Sequence, residues 1–160
     1  MKNNFILNGE DTEKSADANQ NLLAILQKQS HLLTKVRHCQ TGTCGRCMIS
    51  LENNLVLSCL IPFYQIKGKE IITPEGFSLT EDYKKLWDWL SRSGIEEEQE
   101  AVNVLLFALH TLLDNGSSPD SPEIRQVLED FPTLGAPKES LLKAVRLLHN
   151  RKEVRRSERR

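Results

Sequence analysis

The chain has 160 residues, 39% of them hydrophobic and 27% charged, with a formal net charge of -1. This is the make-up of an ordinary soluble globular protein of one domain or two small ones, and the near-neutral balance gives no ground for nucleic-acid binding. No stretch approaches the roughly 20 apolar residues of a membrane span, and residues 1–10 hold no apolar run of signal-peptide length, so a cytoplasmic protein is the expectation.

Taken in chain order, Phe5, Ile6 and Leu7 form a short apolar run that ends at Asn8-Gly9, a strong turn dipeptide. Residues 20–29 place Leu22, Leu23, Ile25 and Leu26 on one side, as a short amphipathic helix does. Residues 48–51 and 55–57 read as two strands, with Glu52-Asn53-Asn54 as the tight turn between them. Residues 70–73 read as a last strand, stopped by Pro74 and Gly76. Short strands around one helix indicate a small α+β domain over residues 1–77.

After a linker near 77–80 the pattern turns helical. Thr80 caps a segment with Tyr83, Leu86, Trp87 and Leu90 at helical spacing, ending at Gly94. A helix over 96–114 carries Val102, Leu105, Leu106, Leu109, Leu112 and Leu113 and stops at Asn115-Gly116. Its acidic start, 96–100, suits the positive end of a helix dipole. Ser121-Pro122 starts a third helix with Ile124, Val127, Leu128 and Phe131 on one face. Pro137 starts a fourth, with Leu141, Leu142, Val145 and Leu148. Four such helices over 81–150 make a small bundle. Residues 151–160 hold six Lys/Arg against two Glu, a net of +4 that leaves -5 on the rest. A basic end of this kind is ordinarily solvated and frayed, and otherwise offers an electrostatic contact to an acidic partner or surface.

All four cysteines, Cys39, Cys44, Cys47 and Cys59, fall in the first part, spaced C-x4-C-x2-C-x11-C. In a reducing compartment clustered cysteines point to metal, and this spacing is that of plant-type [2Fe–2S] proteins. Two irons need two thiolates each, and a buried anionic cluster needs backbone N–H donors aimed at its sulfurs. Gly42 and Gly45 let the backbone wrap closely enough to supply them. A structural zinc site more typically shows two close pairs, and here only Cys44 and Cys47 are so paired. Disulfides would need an oxidising compartment.

The chain resembles the small iron–sulfur subunit of the molybdenum hydroxylases, the xanthine dehydrogenase, aldehyde oxidoreductase and carbon monoxide dehydrogenase family. The likeness is carried by Asn8-Gly9-Glu10, the 22–26 helix, the C-x-x-G-x-C-G-x-C loop from Cys39 to Cys47, Ser58-Cys59-Leu60, Gly68-Lys69-Glu70-Ile71 and Thr73-Pro74-Glu75-Gly76-Phe77, all in family order. It implies a β-grasp ferredoxin-like domain followed by a four-helix domain. It also implies that Cys39, Cys44, Cys47 and Cys59 ligate one [2Fe–2S] cluster, and that the partners are a molybdenum-cofactor subunit and a flavin subunit.

The resemblance breaks in the helical part. Family members hold a second cluster there, next to the molybdenum, whereas the matching positions in this chain fall near Glu98, Ala101, Thr133 and Gly135, none of them a thiol. His38 and Arg46 stand where small residues are common, and a cation near the cluster favours its reduced form. His31, His110 and His149 show no ligand spacing. Of the indoles two residues apart, Trp87 fits the apolar stripe and Trp89 does not. The expected function is a one-electron carrier subunit of a multi-subunit oxidoreductase, with no catalytic residue of its own. The alternatives are an interaction subunit whose cluster is structural or redox-sensing, and a free ferredoxin-like carrier.

Overall fold

β1 (Lys2–Leu7) runs into Asn8 and Gly9, whose φ angles are 53° and 86°. Two positive values in succession make the turn that matches strand twist in a two-residue hairpin. The chain returns as β2 (Glu10–Ser15), paired antiparallel from Lys2↔Ser15 to Leu7↔Glu10. β2 lies outside the sequence expectation because Glu-Asp-Thr-Glu-Lys-Ser has no apolar residue. It is an edge strand in a five-stranded sheet of order β2-β1-β5-β3-β4, so the turn and the ladder hold it rather than burial.

The structure is a computed structural model and describes residues 1–30, 32–33, 39–92, 100–130 and 138–158. The chain divides into two compact units, Met1–Phe77 and Ser78–Arg160. Among the described residues no helix is long and apolar enough to cross a membrane.

In the first unit, α1 (Leu22–Ser30) is capped by Asn21, whose side-chain oxygen accepts the Ala24 N–H at 2.8 Å. β3 (Met48–Leu51) and β4 (Asn54–Leu57) form a second hairpin, closed by Glu52 and Asn53, again both at positive φ. Two single 3-10 turns follow, Ser58–Leu60 and Phe63–Ile66. β5 (Glu70–Ile72) then enters the middle of the sheet, parallel to β1 and antiparallel to β3. A mixed sheet packed on one helix is the expected β-grasp arrangement, and Phe5, Leu22, Ile25, Ile49, Phe63 and Ile71 share its core.

Pro74 does more than stop β5. It opens a short helix, α2 (Pro74–Ser78), at the first-turn position where proline fits. Thr73 caps it, accepting the Gly76 N–H at 3.3 Å. The Asn8 side chain meets the same junction: its oxygen accepts the Thr73 N–H at 2.9 Å and its amide donates to the Thr73 hydroxyl at 3.3 Å. Glu75 reaches back to Leu33, which sits at φ 54°, and accepts its N–H at 2.6 Å. The Gln27 amide donates to the Leu33 carbonyl at 2.9 Å. These bonds fix the chain on its way to the cysteine loop.

The second unit holds α3 (Glu81–Arg92), α4 (Glu100–Asp114), α5 (Pro122–Asp130) and α6 (Lys138–Glu158). Ser121 and Pro122 start α5 as expected, and α4 ends at Asn115-Gly116 with Gly116 at φ 92°. Residues 104–109 are buried without a break, more than the single stripe read from the sequence. Trp87 and Trp89 are both half-buried, and Tyr83, Leu86 and Leu90 form the buried face of α3. α6 continues to Glu158, so most of the basic segment lies on this helix. Gly94, residues 96–99, Phe131 and Pro137 lie outside the described residues.

The Thr80 hydroxyl accepts the Tyr83 N–H at 3.2 Å, as the cap reading requires. Thr80→Ala is expected to cost about 1 kcal/mol, read as a lowered urea midpoint of the helical unit by far-ultraviolet circular dichroism.

Candidate metal centre

The loop from Cys39 to Cys47 carries no regular structure, and its shape comes from three residues at positive φ: Gln40 at 59°, Gly42 at 81° and Gly45 at 69°. These bends turn backbone N–H groups inward. The Cys39 sulfur accepts from the amides of Thr41, Thr43 and Cys44 at 3.4, 3.3 and 3.3 Å. The Cys39 amide in turn faces the Cys44 sulfur at 3.5 Å. Such a nest of amides is built for negative charge.

Cys47 and Cys59 form a second pair, both buried in the β-grasp core. The β3–β4 hairpin brings them together, since Met48 pairs with Leu57. Ser58 locks the register: its amide and its hydroxyl both donate to the Cys47 carbonyl, at 3.0 and 2.9 Å. Cys47 and the Gly42 amide both lie near enough to the Cys59 thiol to shift its titration, Cys47 upward and the amide downward.

The two pairs differ electrostatically. Hydrogen bonds from the Thr41 and Thr43 side chains, helped by the Thr41 amide and Cys44, lower the Cys39 thiol to about 5. Burial, reinforced by the hydrogen bond and charge of Cys47, pushes Cys59 up to about 11. In the metal-free chain Cys39 is therefore a thiolate at pH 7 and Cys59 a buried thiol. Brief treatment with iodoacetamide is expected to modify Cys39 first and Cys59 last. Raising the pH from 7 to 9 should leave the Cys39 rate nearly flat, which peptide mass spectrometry checks.

The donor set suits a two-iron group. The four thiols stand as two pairs, which could serve one iron each, with a nest of amides around Cys39. Among the described residues no three Cys, His, Asp or Glu side chains are grouped around one point. Gly42 adds a steric test. A Cβ built there would lie 2.8 Å from a terminal methyl of Leu60, so loop and 3-10 turn approach closely, and the φ of 81° strains any side chain at this position.

No family model matches the chain. It is 26% identical over 136 residues to aldehyde oxidase 2 of Rattus norvegicus, covering 78% of this chain but about a tenth of that protein. It is 26% identical over 121 residues to the nicotinate dehydrogenase small FeS subunit of Eubacterium barkeri, covering 76% of this chain and 77% of the relative. In fold it matches quinoline 2-oxidoreductase from Pseudomonas putida 86 with a TM-score of 0.67 and 23% identity, over 91% of this chain and 96% of that one. The chain resembles the small iron–sulfur subunit of the molybdenum hydroxylases. Like the small-subunit relatives it is α+β, a ferredoxin-like sheet domain followed by helices.

Set beside that likeness, the structure brings the four sequence-predicted cysteines to one place and explains Ser58-Cys59-Leu60: the serine ties Cys47, the cysteine faces the loop and the leucine covers Gly42. Sequence spacing alone misses Thr41 and Thr43, which act on Cys39 within the loop, and Ser58 and Leu60, which meet Cys47 and Gly42 across the fold. Arg46 is exposed between Cys44 and Cys47, and His38 and His31 lie outside the described residues. Glu98, Thr133 and Gly135 also lie outside them, while Ala101 lies within α4. His110 is paired with acids, its Nδ1 at 3.2 Å from Asp114 and its Nε2 at 3.7 Å from Asp82.

Proposed function

We propose that this chain is the electron-transfer subunit of a molybdenum-hydroxylase-like oxidoreductase, holding a single [2Fe–2S] cluster on Cys39, Cys44, Cys47 and Cys59. The observation that carries the reading is the pair of thiol pairs beneath inward-pointing amides. A [2Fe–2S] group supplies a one-electron couple. The chain's own residues hold the cluster, exclude water behind Cys47 and Cys59 and offer N–H groups to its negative charge. The chain contains no thiol after Cys59, so a second cluster has no cysteine ligands in the helical unit. Substrate chemistry then resides in partner subunits, one with the molybdenum cofactor and one with a flavin.

Anaerobic purification from a cluster-competent host should give about two irons and two sulfides per chain, with an EPR signal on reduction. A colourless, iron-free protein would sink the proposal. Native co-purification with metal and flavin analysis of each component tests the complex, and molybdenum-free partners would overturn that part.

The cysteine-free helical unit favours one competing reading, in which that unit is a docking module and the cluster is structural or redox-sensing. The two readings part at turnover. A cluster used as a relay is needed for it, whereas a structural or sensing cluster is needed only for assembly or response.

A further inference from the structure

Leu60 is out of place for an apolar residue. It is 59% exposed, although its neighbours in the same 3-10 turn, Ser58 and Cys59, are buried. Its exposed position is nevertheless occupied on one side, because its Cδ1 would lie 2.8 Å and its Cγ 3.3 Å from a Cβ at Gly42. Gly42, at φ 81°, packs its Cα against Leu60, and its amide lies near enough to the sulfur of Cys59, the residue just before Leu60, to favour the thiolate. One short segment thus grips the loop twice, through a sulfur from inside and a leucine from outside.

We infer that Leu60 is a positioning residue of the cluster site, an apolar clip that holds the Cys39–Cys47 loop against the Cys59 turn and keeps water from the Gly42 amide. This rests on the cluster reading given above and assigns Leu60 no contact with the irons. The physical argument is one of competition. An amide at the protein surface has water as an alternative acceptor, and a sulfur is a weak one. A cover of hydrocarbon removes the alternative, so the N–H stays on the sulfur. The loop has no helix or strand to hold it in place, which leaves such cross-links as its restraint. Groups that orient ligands without touching the metal commonly alter metal affinity strongly.

The test uses the full chain loaded with its cluster. Leu60→Ala, at an exposed position, leaves the fold intact by far-ultraviolet circular dichroism. Its cluster is expected to bleach in the presence of an iron chelator roughly tenfold faster than the wild type, the lower end of what such outer changes cost a metal site. The visible circular dichroism of the cluster shifts as well, a change that loss of bulk stability alone would not produce. Leu60→Met keeps an apolar cover and should stay within about twofold of the wild type. A Leu60→Ala protein with wild-type bleaching and spectrum overturns the inference, as does Leu60→Met failing as badly as Leu60→Ala. A wild-type chain that takes up no cluster sinks the cluster reading and this inference together, whereas a loaded wild type beside an unaffected Leu60→Ala sinks this inference alone.

Discussion

Cys44→Ser is expected to take the chain from about two irons to almost none, while both units stay folded. Cys44 is the half-exposed partner of Cys39, outside the packed core that holds Cys47 and Cys59. Its removal therefore deprives one iron of a thiolate without opening a cavity. A serine hydroxyl is a poor substitute, since its oxygen is hard and protonated at neutral pH where iron–sulfur centres take soft thiolates. Iron analysis and EPR give the first readout and thermal unfolding of the apo-protein the second. A Cys44→Ser protein with wild-type iron content refutes the ligand assignment. In the assembled complex the same variant separates the two functional readings. Turnover that persists with the cluster gone and the complex intact excludes a relay.

The second large effect belongs to Gly76→Ala. A Cβ there would overlap the Asn8 side-chain amide, which is already committed to Thr73 through two hydrogen bonds. The Asn8 amide cannot give way without losing those bonds, because it is the clasp between the first hairpin turn and the β5–α2 junction. Overpacking costs about 1–3 kcal/mol and a lost hydrogen bond about 1 kcal/mol more. A loss of about 2–4 kcal/mol in urea unfolding of the first unit follows. Removing the obstruction should give part of it back, so Asn8→Ala with Gly76→Ala should cost less than the sum of the two single changes. Strict additivity would show that the overlap is not the cause.

Much of this architecture is legible in the chain because local signals agree with the fold. Asn8-Gly9 announces a hairpin, Ser121-Pro122 a helix start, and the leucine spacing of the helical part a bundle. What escapes is what local pattern does not encode. β2 is polar throughout and exists as the partner of β1. The α2 helix hides behind a proline that reads equally as a strand stop. The basic segment looks like a frayed end, yet helix α6 runs through most of it. At the site, cysteine spacing reveals the four thiols but not how they pair. That depends on Ser58 meeting Cys47 across a hairpin and on Gly42 meeting Leu60 across 18 intervening sequence steps. The resemblance to known small subunits supplies Asn8-Gly9-Glu10 and Thr73-Pro74-Glu75-Gly76 as separate motifs, and the structure shows them to be two halves of one contact.

The parallel pairing of β1 with β5 also sets an order of events. Ile6 lies beside Glu70 and Leu7 beside Ile71, so this side of β1 waits for β5 before the sheet closes. All four cysteines emerge from the ribosome inside that interval. Contacts of such long sequence separation form late and slowly. The nascent chain thus displays its thiols before it has a core in which to shelter Cys47 and Cys59, a period in which a scaffold delivering iron and sulfide has open access and an oxidant has the same.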